Sequence, residues 1–191
     1  MKEIFYVGCL WGIFWVYWII AGIRIRWSVK SENAGQKGIS RFLHLFFVVL
    51  AFWLSLSNYN NLILWKIIII QGQHIKVIGL LLLTLFLAFS IWARIILGRN
   101  WSGAIQKVQG QRLVTKGPYK YIRNPIYTGI IGGFIGTFIT IGTLASFIGM
   151  LLSVAIYILK IIKEENFLVD TFGNEYVEYK KRTWALIPLI F

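Results

Sequence analysis

The hydrophobic residues of this chain gather into five long runs separated by short polar passages. Ile4 to Ile23 is 20 residues without a charge, enough for one helical crossing of a bilayer at ~1.5 Å per residue. Phe42 to Ser57, Val77 to Leu97, Ile126 to Ile141 and Leu144 to Ile162 follow as four further predicted helical spans. Leu62 to Ile70, interrupted by Lys66, is too short to cross as a helix and is predicted to lie at the interface. Gly142 and Thr143 leave room only for a tight turn, so the last two spans form a hairpin. The fifth helix is expected to continue to Phe172, with Gly173 as its C-terminal cap and Asn174 as N-cap of a short last helix. Leu168, Phe172, Tyr176 and Tyr179 follow a helical spacing that suits a segment lying on the membrane surface.

Composition turns this pattern into a fold class. A chain of 191 residues that is 58% hydrophobic, with nine tryptophans, cannot hide its apolar surface in a water-soluble core. An all-α integral membrane protein with about five transmembrane helices is the expectation. The net charge of +13 raises nucleic acid as a partner, but the basic residues fall in short loops between apolar runs, which is the membrane topology signal. Membrane lipids, and no nucleic acid, are the expected partners. Alternating the spans puts 24–41, 98–125 and the tail on one basic face, and the N-terminus, 58–74 and the 142–143 turn on the other. The N-terminus is therefore expected outside and the C-terminus in the cytoplasm. The first run is too long for a signal-peptide core and no small-residue cleavage site follows, so it is expected to be retained. Asn100-Trp101-Ser102 forms a glycosylation tripeptide that this topology places in the cytoplasm. The one cysteine, Cys9, sits in an apolar run, and neither an intrachain disulfide nor a metal site is expected. His44, at the start of a span, reads as a packing residue.

The polar chemistry concentrates in two places. Gly110 to Gly129, GQRLVTKGPYKYIRNPIYTG, carries Arg112, Lys116, Lys120 and Arg123 with Tyr119, Tyr121 and Tyr127, and no acid. Asn124-Pro125 is a helix start: asparagine is a preferred N-cap and proline fits the first turn. Arg123 then stands beside the positive end of the fourth helix, where an anionic ligand or a lipid phosphate would be favoured. On that helix, Gly129/Gly133 and Gly132/Gly136 allow a neighbour to approach closely, and the tight turn makes the fifth helix the expected neighbour. The second place is the tail from Lys163, which holds five of the seven acidic residues. Glu164 and Glu165 lie ~100° apart on a helix, so at least one is expected to face the fourth helix. Lys160–Glu164 also suits a simple i,i+4 pair. An arginine facing a carboxylate across this hairpin matches a zwitterion, such as the amino acid end of a small cofactor.

These residues carry a resemblance. LVTKGPYKYIRNPIYTG resembles the GPYxYxRHPxYxG signature of isoprenylcysteine carboxyl methyltransferases and their prokaryotic relatives. EENFLVDTFGNEYVEYKKRTWALIPLI is similar to that family's second signature, EExxLxxxFGxEYxxYxxRVxxLIP, and LGRNWS at 97–102 is similar to the segment that precedes the first. The resemblance covers roughly 97 to 190. It implies residues 1–97 as supporting spans and 98–191 as a catalytic region that binds S-adenosyl-L-methionine without a metal, beside a lipophilic substrate entering from the bilayer. Carried over, Val114, Gly117, Tyr119, Arg123, Asn124, Pro125, Tyr127, Glu164 and Glu165 are the implied cofactor-binding residues, and Arg123, Glu165 and Arg182 the implied catalytic ones.

Two positions depart from the pattern. Asn124 stands where the family has histidine, which removes a titrating imidazole but keeps hydrogen-bonding capacity. Thr183-Trp184 replaces apolar residues and is expected to reshape the substrate side. The acceptor stays open between an isoprenylcysteine-type carboxylate and a phospholipid or other lipophilic amine or thiol. An NADPH-dependent membrane reductase and a non-enzymatic scaffold are the competing classes.

Overall fold

The computed structural model describes residues 2–28, 31–34, 38–57, 59, 62–69, 72–101, 106–108 and 112–188. Parts of the predicted loops, including Asn58, Ser102 of the glycosylation tripeptide, Gly110 and Gln111, lie outside the described residues. Five long helices follow one another: α1 (Lys2–Ser28), α2 (Gly38–Leu56), α3 (Gln73–Leu97), α4 (Pro125–Ile141) and α5 (Leu144–Phe172). A short α6 (Asn174–Lys181) completes the chain. Lys2–Ile23, Gln73–Asn100 and α5 are long and apolar enough to cross a membrane, and Phe42–Leu56 and α4 are shorter apolar helices. Large apolar side chains such as Phe5, Ile13, Val49, Leu81, Leu85 and Leu159 point outward. A soluble surface avoids such a continuous apolar coat, so the molecule is an integral membrane protein.

The interior is aromatic. Trp11 and Phe14 of α1 pack with Ala51 of α2, Leu83 and Leu87 of α3, and Ile130 and Phe134 of α4 in one cluster. The Trp11 indole donates to Thr137 Oγ1 at 2.9 Å, which satisfies two buried polar groups together. This single core joins residues on both sides of position 97.

The glycine face of α4 packs on α3, which corrects the expectation that α5 would cover it. A Cβ on Gly136 would stand 2.5 Å from Leu83 N, and one on Gly129 would stand 2.6 Å from Phe86 O. Gly79 of α3 reciprocates, since a Cβ there would lie 2.9 Å from Gly136 O. Close approach requires small residues on both partners, and α3 supplies one. On α5, Gly149 faces α2 instead, where a Cβ would lie 2.7 Å from Ala51 O.

The two ends of the bundle differ. At one end, Ile68 N donates to Gly142 O at 2.8 Å and Leu144 N to Lys66 O at 3.1 Å, so the 62–69 segment sits against the α4–α5 turn with Trp65 buried. Thr143 and Ser146 cap α5 reciprocally. The N-terminus lies at this end too, because Glu3 pairs with Lys76 at 2.8 Å. At the other end an antiparallel ribbon forms that the all-helical reading did not contain. Strand β1 (Ser31–Ala34) pairs with β2 (Gln106–Val108), tying the two basic loops together. Gly173 caps α5 and also begins α6, so Asn174 is inside the helix and not its N-cap.

Candidate active site

The polar side chains collect at the ribbon end. Gly117, at φ +57°, turns the chain into a 3-10 segment over Gly117–Lys120 and sends Tyr119 inward. An L side chain is strained at that φ, and a Cβ there would also meet Ile96 at 3.3 Å. The next residues run beside the C-terminal segment. Trp184 N donates to Tyr121 O at 3.0 Å, Arg123 N to Trp184 O at 2.8 Å and Asn124 N to Ala185 O at 3.2 Å. Thr128 Oγ1 donates to Leu186 O at 2.8 Å. Thr183 and Trp184 offer their carbonyls to Arg123 and do not line the cavity described below.

Asn124 occupies the N-cap position of α4, but its side chain does not cap the helix. Its amide nitrogen donates instead to Glu165 Oε1 at 3.2 Å and Ala185 O at 3.2 Å. The bond to the carboxylate is charge-assisted and fixes the orientation of the amide, whose oxygen makes no cap bond.

Arg123 and Glu165 close on each other. Arg123 Nε lies 2.8 Å from Glu165 Oε1, and its Nη1 donates to Lys180 O at 3.1 Å and to Thr183 O. Lys180 Nζ reaches the second carboxylate oxygen at 2.7 Å. The side chains of Arg123 and Glu165 are only 11% and 9% exposed. They form an internal ion pair that fastens α4, α5 and α6 together, where the sequence suggested two arms held open around a zwitterion.

The adjacent Glu164 points elsewhere. The Tyr127 hydroxyl donates to its carboxylate, 2.8 and 2.7 Å from the two oxygens, and Lys160 lies 3.9 Å away as the i,i+4 partner. Glu164 lines a cavity of about 130 Å³ enclosed by the 3-10 segment, the start of α4, the end of α5 and α6. Its walls are largely aromatic: Tyr119, Tyr127, Phe167, Phe172, Tyr176 and Tyr179. Leu168, Phe172, Tyr176 and Tyr179 all line the cavity, so their helical spacing supplies part of its wall. The Tyr179 hydroxyl donates to Tyr119 O at 2.7 Å, and this bond holds α6 back against the 3-10 segment.

Residues 74–175, more than half of the chain, match the family model of phospholipid methyltransferases. The chain belongs to the phospholipid methyltransferase family. Within it, the protein-S-isoprenylcysteine O-methyltransferase of Xenopus laevis is 31% identical over 63% of this chain and 43% of its own. Protein-S-isoprenylcysteine O-methyltransferase B of Arabidopsis thaliana is 26% identical over 85% of this chain and 84% of its own. This family member thus spans less than half the length of the frog relative. The solved structure of the eukaryotic intramembrane Ras methyltransferase, isoprenylcysteine carboxyl methyltransferase, superposes with a TM-score of 0.57 at 25% identity. It covers 80% of this chain and 52% of its own, so the membrane-helical fold agrees with the resemblance read from the two motifs.

In this family member, Val114, Tyr119, Arg123, Asn124, Tyr127 and Glu164 reach the cavity wall. Gly117, Pro125 and Glu165 are not on the wall, and Arg182 is exposed beyond the end of α6. Wall residues that the motifs did not assign include Asn100, Trp101, Arg112, Leu113 and Phe167. The likeness of LGRNWS to the family segment was the signal available for the first two.

A further charged residue, Arg94, lies in the third span and outside both motifs. It is 3% exposed in the last turn of α3, with its guanidinium 4.0 Å from the Trp101 ring centre and 5.9 Å from that of Trp18. Its Nη1 donates to Gly98 O at 3.2 Å. Two desolvated cation–π contacts supply about 2 kcal/mol each at best, while taking one ion out of water costs several kcal/mol.

Proposed function

We propose that the protein is a membrane methyltransferase that uses S-adenosyl-L-methionine to methylate a lipophilic acceptor arriving from the bilayer, on the cytoplasmic face. The observation that carries this reading is the aromatic cavity with Glu164 and its Tyr127 bond on the wall, at the end of a membrane hairpin in a chain of this family. The donor set fits the cofactor. Flat phenol and phenyl rings suit a purine, and a carboxylate held by a tyrosine suits ribose hydroxyls or an ammonium. When bound, that cofactor supplies a methyl group on an already electrophilic sulfonium.

The protein's share is then alignment and exclusion of water. Tyr119, Tyr176 and Tyr179 close the cavity towards α6, and Glu164 orients the polar end of the ligand. Arg123, Glu165 and Lys180 hold the three elements in register, and act as positioning residues. The acceptor we favour is an isoprenylcysteine-type carboxylate, as the names of the relatives suggest. A carboxylate nucleophile needs no general base, and none of the chain's histidines lies on the cavity wall.

Thermal stabilisation of the purified protein tests the reading, since a ligand that binds only the folded form raises stability by mass action. S-adenosylhomocysteine is expected to raise the melting temperature and NADPH to leave it unchanged. A response to NADPH alone overturns the methyltransferase reading. Methylation of an ethanolamine phospholipid in preference to a farnesylated cysteine replaces the acceptor and leaves the enzyme class intact.

A further inference from the structure

Among the described residues, two buried polar groups at the ribbon end of the bundle have no hydrogen-bond partner. They are the Arg94 guanidinium, at Nε and Nη2, and the Tyr119 hydroxyl. Arg94 is 3% exposed and Tyr119 6% exposed. Buried donors are almost always bonded, so orphaned ones call for a partner that the protein itself does not supply. The simple role for Arg94, a cation at the C-terminal end of α3 balancing its dipole, accounts for the Nη1 bond to Gly98 O. It leaves the other two nitrogens unexplained.

The surroundings define what that partner is. The guanidinium lies against the Trp101 ring, 4.0 Å from its centre, with Trp18 further off at 5.9 Å, so its N–H edge remains to be used. Trp101 and Tyr119 both belong to the cavity wall. Burial, seconded by the neighbouring Tyr179 phenol, pushes the Tyr119 phenol well above its ordinary range, so it keeps its proton and can donate. Glu164 and Glu165, the carboxylates nearest the cavity, are already bonded to Tyr127 and to Arg123 and Lys180. This region therefore combines a permanent cation, a fork of unpaired donors and a phenolic donor, with no anion of its own among the described residues.

We propose that Arg94 and Tyr119 form a carboxylate-binding subsite at the α3 side of the cavity. A planar guanidinium edge matches a carboxylate with two parallel bonds, and the phenol adds a third. This rests on the methyltransferase reading, under which two ligands bring a carboxylate: the amino acid end of the cofactor and the acceptor itself. Arg123, the arginine that the motif offered for that task, has its Nε on Glu165 and its Nη1 on two carbonyls.

The test pairs each carboxylate ligand with a partner that lacks the group. S-adenosylhomocysteine is compared with 5′-methylthioadenosine, and N-acetyl-S-farnesylcysteine with its methyl ester. Dissociation constants are measured for wild type, Arg94→Met and Tyr119→Phe. In both variants at least one carboxylate ligand is expected to weaken, by about thirtyfold for Arg94→Met, while its carboxylate-free partner binds as before. Weakening of S-adenosylhomocysteine assigns the subsite to the cofactor, and weakening of the farnesylcysteine assigns it to the acceptor. Because the Tyr119 hydroxyl has no bond to lose, Tyr119→Phe is expected to melt, without ligand, no lower than wild type. A lower melting temperature, unchanged binding of both carboxylate ligands, or equal weakening of the carboxylate-free partners overturns the subsite. A wild type that binds none of the four ligands sinks the methyltransferase reading and the subsite with it.

Discussion

Arg123 and Arg94 are both buried arginines at the same end of the bundle, and they are used in opposite ways. Arg123 bonds Glu165 through Nε and the Lys180 and Thr183 carbonyls through Nη1, and so ties α4 to α5, α6 and the C-terminal segment. Arg94 lies in an aromatic box with two of its nitrogens unpaired. A charge paired with a carboxylate holds a fold together, whereas one with no carboxylate partner among the described residues is held in place to receive something. Burial alone does not distinguish the two. The pairing does.

Substitutions can break this contrast. Arg123→Ala is expected to have the largest effect, because it leaves the buried Glu165 with only Lys180 and the Asn124 amide; loss of one partner of a buried pair costs about 3–5 kcal/mol. Thermal unfolding in detergent reads this, and a variant as stable as wild type would show that Arg123 is not structural. Arg94→Met is the sharp counterpart. Removing an unpaired buried charge should leave unliganded stability at or above that of wild type. A loss like that of Arg123→Ala would erase the distinction between the two arginines.

Glu164→Gln comes next. Tyr127 can still donate to the amide oxygen, so the fold should survive, while a charged hydrogen bond to the ligand is lost, about 1.5–3 kcal/mol of affinity for S-adenosylhomocysteine. Isothermal titration measures it, and affinity equal to wild type would remove Glu164 from the site. Gly136→Ala pushes a methyl group towards the α3 backbone and should cost about 1–3 kcal/mol in thermal stability without touching either arginine. Lys181→Ala, which breaks the solvent-exposed pair with Glu178, should change stability by no more than about 1 kcal/mol.

The sequence made the spans, the hairpin and the start of α4 at Pro125 legible, because apolar run length and proline chemistry are local signals. It also brought Arg123 and the glutamate pair to one end of one hairpin. It could not say which glutamate faces the ligand. Neighbouring helix positions differ by about 100°, and the rotation of α5 is decided by its packing along its length, at Gly149 against Ala51 as well as at Glu165 against Arg123. For the same reason the helical spacing of Leu168, Phe172, Tyr176 and Tyr179 gives one face without saying whether lipid or a cavity covers it.

Membrane residence, the number of long helices and the family motifs follow from the order of residues along the chain. The closing of Arg123 on Glu165, the turning of Asn124 from cap to site, the choice of α3 as the partner of the glycine face, and the isolation of Arg94 were decided only in the folded molecule. Each of these depends on which distant backbone group or charge arrives at a few ångströms. That is a property of how the helices rotate and pack, and spacing along one element does not contain it.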